Sequence, residues 1–209
     1  MRTSVWLLRA GQNELNRRRA FVGQHDVALT DYGRIQVTVA GQYVARQRLT
    51  AVVSGPHQAM CASAQIVAHQ HQLGYTQDAE WADQDVGALA GLTWREASQR
   101  YPQEMRERQR NPLGARVLGA TESLAEVAER VAGAWQRILV EYAGQRVVVV
   151  TQALPIQLLL AMVLGRPLER YWEWRIDQAS WSAIEVYGGT AIVRCVNATV
   201  PVHADDVAG

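Results

Sequence analysis

Short unbroken apolar runs alternate along this chain with longer stretches in which apolar positions recur every three to four residues. The unbroken runs fall at 5–8, 51–54 and 147–151, the pattern of strands covered on both faces. Helical periodicity predicts helices over 31–48, 57–71, 94–100, 123–142 and 155–164. Thr121 to Leu124 carries N-cap chemistry, and Pro155 suits the first turn of a helix. The runs at 180–187 and 190–197, split by Gly188-Gly189, predict an antiparallel hairpin that closes the sheet. Such alternation predicts an α/β three-layer sandwich with a mostly parallel central sheet and helices on both faces. A parallel sheet binds its ligand in the crevice outside the carboxyl ends of its strands. The turns there carry Ala10, Gln152 and, close by, Ala59.

The residues in those turns form a recognisable series. The first strand runs into Arg9-Ala10-Gly11-Gln12-Asn13-Glu14-Leu15-Asn16, followed by Gly23-Gln24-His25-Asp26 and Leu29-Thr30-Asp31-Tyr32-Gly33. Later come Ser54-Gly55-Pro56-His57-Gln58-Ala59, then Asp83 four residues before Gly87, then Gly119-Ala120-Thr121-Glu122-Ser123-Leu124, and finally Thr151-Gln152-Ala153. This order resembles the histidine phosphatase superfamily, the phosphoglycerate-mutase-like enzymes, over nearly the whole chain. The resemblance implies a phosphate-handling pocket built from two histidines, two arginines and one acid. Position by position it places Ala10 where the phosphoryl-accepting histidine stands, Ala59 at the second arginine and Gln152 at the second histidine. Arg9 matches the first arginine, Asn16 a further polar contact, and Asp83 the general acid, usually a glutamate. Asp85 matches a residue that stabilises the segment.

Covalent phosphoryl transfer needs a nucleophile, an acid for the leaving oxygen, and donors around the transferring group. Alanine at 10 supplies no nucleophile. Alanine at 59 removes a bidentate, charge-assisted phosphate contact, and the glutamine at 152 donates a hydrogen bond without carrying charge. Removing one such group commonly costs on the order of 4 kcal/mol of barrier stabilisation. The changes at Ala59, Gln152, Ala153 and Gly55 accompany Ala10, a pattern of natural departure rather than a single knockout. The resemblance thus implies a degenerate member in which Asp83 is the candidate catalytic group. Arg9, Asn16, Gln24, Gln152 and Trp94 are candidate ligand contacts, and Arg9 faces Asp83 in a nearly neutral pocket. The missing side chains imply a larger and more aromatic cavity, with Trp81 and Trp94 flanking the Asp83 segment. His57 is expected to be a hydrogen-bonded helix-start residue, and His25 with Asp26 to rim the pocket.

The stretch 90–119 is rich in charge and interrupted by Pro102 and Pro112. It reads as a helical lid inserted into a single domain spanning 1–209, its charges solvated and paired along helical faces. The small acidic tail at 203–209 is expected to fray.

Composition narrows the partners. A chain of 209 residues with 48% hydrophobic and 20% charged residues is globular and long enough for one sizeable core. All 21 basic residues are arginine, which excludes lysine Schiff-base chemistry. A net charge of +1 gives no global reason to expect nucleic acid or a membrane surface as partner. Cys61 and Cys195 lack metal or disulfide spacing and are expected to be small buried hydrophobes. No cofactor and no metal is expected. The apolar run at 5–8 is too short for a signal peptide and that at 153–164 too short to span a bilayer, so a cytoplasmic location is expected. Three functions stay open. The first is a non-catalytic protein that binds a small organic ligand or a protein partner, with a homodimer among the open assemblies. The second is a repurposed lyase, isomerase or cyclase using Asp83 and Arg9. The third is a weak phosphomonoester phosphatase.

Overall fold

The computed structural model describes residues 1–202, so the tail expected to fray, 203–209, lies outside the described residues. Six strands form one sheet in the order β3-β2-β4-β1-β5-β6. They are β1 (Arg2–Arg9), β2 (Ala51–Ser54), β3 (Thr76–Gln77), β4 (Arg146–Thr151), β5 (Trp181–Tyr187) and β6 (Thr190–Ala198). The first four run parallel, and β5 and β6 run antiparallel as the predicted hairpin. Side chains alternate across the pleat, and both faces are apolar. Leu8, Val52, Val148 and Val150 face one layer; Val5, Leu7, Val53, Val147 and Val149 face the other.

Helices α2 (Asp31–Ala45) and α3 (Gln58–Gln70) cover the first face through Val37, Ala40, Val44, Met60, Ala64 and Val67. Helices α6 (Leu124–Glu141) and α7 (Ala153–Val163) cover the second through Val127, Val131, Ile138, Ile156 and Leu159. Before them come the short α1 (Glu14–Arg17) and the pair α4 (Trp94–Arg100) and α5 (Pro102–Arg110). The start of α6 is a capping box, Ser123 accepting from the Glu126 N–H while Glu126 accepts from that of Ser123, which satisfies two otherwise orphaned donors. The three-layer expectation stands.

Several local expectations change. The helix predicted to run through residue 48 ends at Ala45, because Arg48 takes a φ of 50° that a right-handed helix cannot continue. Pro102 does not break a helix; it occupies the first turn of α5, where its missing N–H has no partner to lose. Helices α4 and α5 stand on a small cluster of their own, Val86, Leu89, Ala97, Met105 and Val117. Of their arginines, Arg95, Arg100, Arg106 and Arg110 are exposed while Arg108 turns inward to Gln84 and the Phe21 ring, and the expected pairing is sparse. Among the described residues Arg116 alone of this stretch meets a carboxylate, that of Glu126. Neither α1 nor β3 follows from periodicity, since four-residue and two-residue elements are shorter than the pattern that would reveal them. Both cysteines are half-buried rather than buried.

Candidate active site

The carboxyl ends of β1, β2 and β4 meet in one crevice, and the backbone there is closely fitted. A Cβ on Gly11 would collide with the Gly33 carbonyl oxygen, and one on Gly33 would collide with that of Gln12. Only glycine at both positions lets the loop after β1 rest on the start of α2. The Thr30 side chain caps α2 and donates to the Gln12 carbonyl at 3.2 Å, tying the same two segments together. The Gly11 N–H is already used, donating to Ser63 Oγ at 3.2 Å.

Arg9 ends β1. Its Nη1 donates to the Ile176 carbonyl at 2.6 Å, while its Nε is buried without a partner. Burial lowers the guanidinium pKa, and Asp83 and Asp177 oppose that shift by their charge. Neither carboxylate forms an ion pair with it. Asp83 is only partly buried in solvent exposure, yet desolvation of its carboxylate dominates and pushes its pKa up to about 6. The Gln84 N–H, Arg9 and Arg130 pull the other way. The expected pairing of Arg9 with Asp83 is therefore an attraction at a distance.

Arg130 on α6 organises the Asp83 segment, and its part in the site could not be read from sequence. It donates Nε and Nη2 to Glu122 at 2.9 Å each. Nη1 reaches the carbonyls of Glu80 at 2.7 Å and Ala82 at 2.8 Å, and Nη2 that of Asp83 at 3.0 Å. All five contacts lie in a largely buried setting, with the two side chains only 16% and 15% exposed. The i, i+8 spacing of Glu122 and Arg130, with a helix start between them, carries no recognisable signal. Asp85 accepts from the Gly87 N–H and from the N–H and hydroxyl of Thr121, so it braces this segment.

The other candidates divide. Gln24 donates to the Asp83 carbonyl and to Glu122 Oε1, both at 3.1 Å, and so borders the crevice. Asn16 turns its side-chain oxygen toward the start of its own helix. That atom accepts from the Asn13 N–H in the capping box of α1, because asparagine there satisfies the helix start first. Gln152 is 4% exposed and precedes α7 without capping it. Trp94 is half exposed and tilts against Phe21 with ring centroids 6.1 Å apart. It lines a hollow with Arg108, Tyr171 and Trp172, and Arg108 in turn donates to Gln84, next to Asp83, at 3.1 Å. Trp81 is fully buried in the core against α6, and its backbone carbonyl accepts from the Thr151 hydroxyl at 2.5 Å.

The enlarged aromatic cavity expected from the small side chains is thus corrected. Ala10 and Ala59 are buried within the α2–α3 core layer, 0% and 2% exposed. His57 also departs from expectation. It precedes α3 but makes no side-chain cap bond, and its Nδ1 is buried and unpartnered. Burial lowers its pKa, with Asp26 opposing and Arg130 adding to the shift. Its neighbour Asp26 accepts from the Gln58 N–H at 2.6 Å and from the Gln58 side chain at 3.0 Å, which supplies that part of the helix cap instead.

The sequence profile of the Histidine phosphatase superfamily (branch 1) matches residues 5–199. The chain belongs to this superfamily. It is 36% identical over 199 residues to "Bifunctional protein Rv2228c" of Mycobacterium tuberculosis, covering 94% of this chain and 54% of that protein. It therefore spans about half the length of the mycobacterial relatives it matches. It is also 26% identical over 193 residues to "Phosphoserine phosphatase 1" of Hydrogenobacter thermophilus, covering 92% and 91% of the two chains. Among solved structures, "a putative alpha-ribazole-5'-P phosphatase" from Escherichia coli superposes with a TM-score of 0.87 at 23% identity, covering 96% of this chain and 99% of that one. That last likeness is one of fold. Among the described residues no cluster of metal-ligating side chains occurs and no helix is long and apolar enough to cross a membrane.

Proposed function

We propose that this chain is a histidine-phosphatase-fold protein that does not form a phosphohistidine, and that its crevice holds a small organic ligand or a partner group by occupancy. The observation that carries the reading is the packing of Ala10. The side chain in the nucleophile's place carries no nucleophilic atom, is 0% exposed and lies in the same core layer as Ala59, which supports a crevice without phosphohistidine chemistry. The charge around it supports the same reading. Two guanidiniums, Arg9 and Arg130, stand among three carboxylates, Asp83, Asp177 and Glu122. At neutral pH, above the raised pKa of Asp83, that balance favours a neutral or amine-bearing ligand over a phosphate dianion.

A second reading is favoured by Asp83 alone. A carboxyl group with a pKa of about 6 is suited to proton transfer near neutrality, as a repurposed lyase or isomerase would need. Phosphatase activity is carried by the names of relatives, such as the Hydrogenobacter thermophilus protein, and not by this crevice.

Phosphate release from a panel of phosphomonoesters, read beside acid-labile phosphoprotein and thermal melting with non-phosphorylated amines and neutral metabolites, separates these readings. The proposal expects no phosphate release, no phosphoprotein, and a melting shift with a non-phosphorylated compound that disappears in Arg9→Ala. Phosphate release that is lost in Arg9→Ala would overturn it in favour of a phosphatase working by water attack.

A further inference from the structure

A second cavity lies along the β1–β5–β6 side of the sheet, with its arginines at the amino end of β1, and its charge is the reverse of the crevice's. The face of β5 and β6 that continues the α2–α3 layer carries small side chains, Ala183, Cys195 and Ala198, and only the end of α2 reaches it, through Tyr43, so a cavity of about 620 Å³ opens there. Its aromatic wall is Trp6 together with Tyr43, whose ring stacks on Trp181 at 4.8 Å. Five arginines contribute to its lining against a single carboxylate, Glu185. Arg2 and Arg194 share that carboxylate at 3.5 and 3.8 Å. Among the described residues Arg46, Arg48 and Arg146 meet no carboxylate. Arg146 donates to the Gln47 carbonyl at 3.3 Å, and Arg46 sits 5.9 Å from the centre of the Tyr43 ring, so guanidinium N–H groups on all three stay available.

We propose that this cavity binds a phosphate-bearing aromatic small molecule of the nucleotide class. Guanidinium forks suit phosphate oxygens through paired, charge-assisted hydrogen bonds, and a ring face beside them suits a base. The volume falls within the range of small-molecule sites, roughly 300–1,000 Å³. A second copy of the chain is a poor occupant, because a two-fold contact centred on this patch sets three uncompensated arginines against three more. The cavity runs along the sheet from Arg2 at the start of β1 to Trp181, which stands opposite Leu8, and Arg2, at its arginine-lined end, is separated from Arg9 by the length of β1.

The test is calorimetric titration with ADP, adenosine, inorganic phosphate and a short single-stranded oligonucleotide, followed also by tryptophan fluorescence. ADP is expected to bind with one-to-one stoichiometry, and adenosine and phosphate at least about tenfold more weakly. Arg48→Ala combined with Arg146→Ala should weaken ADP by at least about tenfold, and the exposed charge reversal Arg48→Glu should do the same without touching the Arg146 contact. Arg9→Ala should leave ADP binding unchanged. Absence of ADP binding at millimolar concentration would overturn the proposal. So would loss of binding in Arg9→Ala with retention in the double variant, which would move the ligand to the crevice. An oligonucleotide bound far more tightly than ADP would overturn it in favour of a nucleic-acid surface.

Discussion

The two ends of the sheet hold their cations in opposite ways. At the carboxyl end, Arg130 has five protein acceptors and Arg9 donates to a backbone carbonyl with two carboxylates nearby. At the amino end, Arg46, Arg48 and Arg146 border an open cavity with no carboxylate of their own among the described residues. A guanidinium already saturated by its own protein contributes to folding and offers little to a ligand, whereas one left in a half-open cavity contributes little to folding and remains available. Membership of a phosphatase superfamily draws attention to the first end. The distribution of unspent charge draws it to the second.

Removing Arg130 should separate the two ends most sharply. Arg130→Ala takes from the partly buried Glu122 its cationic partner and from the Glu80 and Ala82 carbonyls their side-chain donor, and breaking a buried pair costs about 3–5 kcal/mol. For a chain of this size that is a fall in melting temperature of roughly 10 °C or more, measurable by calorimetry. A fall of only one or two degrees would mean the segment around Asp83 is held by something else.

Rebuilding the expected nucleophile comes next. Ala10→His places a ring in a packed position and should destabilise the protein by about 1–3 kcal/mol in urea unfolding, without producing phosphate release. A well-folded variant that gains phosphatase activity would show that the crevice opens more readily than its packing indicates.

Asp83 gives a pH test of comparable size. Its proton leaves near pH 3.8 from an unperturbed side chain and near 6 in the folded protein, so between those values the native state binds more protons than the unfolded chain. Stability from this group is therefore lost as pH rises through the window, and is fully present below it. Asp83→Asn should stabilise the protein by about 3 kcal/mol at pH 7 and by nothing measurable near pH 3.5. Equal effects at both pH values would mean the carboxylate is not desolvated.

The smallest effect belongs to the other end. Arg48→Glu should change stability by less than about 0.5 kcal/mol, since the side chain is exposed and meets no carboxylate among the described residues. A large loss would make Arg48 a structural residue and remove the contrast between the two ends.

Much of the architecture was legible because it rests on local chemistry. The runs at β1, β2 and β4 are apolar on both faces, Ser123 and Glu126 announce the start of α6, and Gly188-Gly189 marks the turn between β5 and β6. The positions of Arg9 and Asp83 were legible from motif order, and Asp85 was recognisable as a brace. Legibility failed where a side chain's role depends on what lies across the fold. Trp81 and Trp94 flank the same segment in sequence, yet one is sealed in the core and the other is half exposed. His57 stands at a helix start, yet Asp26, thirty-two positions away from Gln58 in sequence, supplies cap contacts there.

By itself, then, the sequence determined the layer order, the parallel core of the sheet and the identity of the residues at its carboxyl end. Periodicity, caps and turns act between near neighbours along the chain, and the residue types at 10, 59 and 152 set the available chemistry regardless of packing. Tertiary structure decided whether the small side chains at 10 and 59 leave a hole or a packed layer. It also brought Arg130 to the Asp83 segment across 47 positions and gathered five scattered arginines around one cavity. Such outcomes depend on the desolvation and close packing of groups far apart in the chain, which no local pattern records.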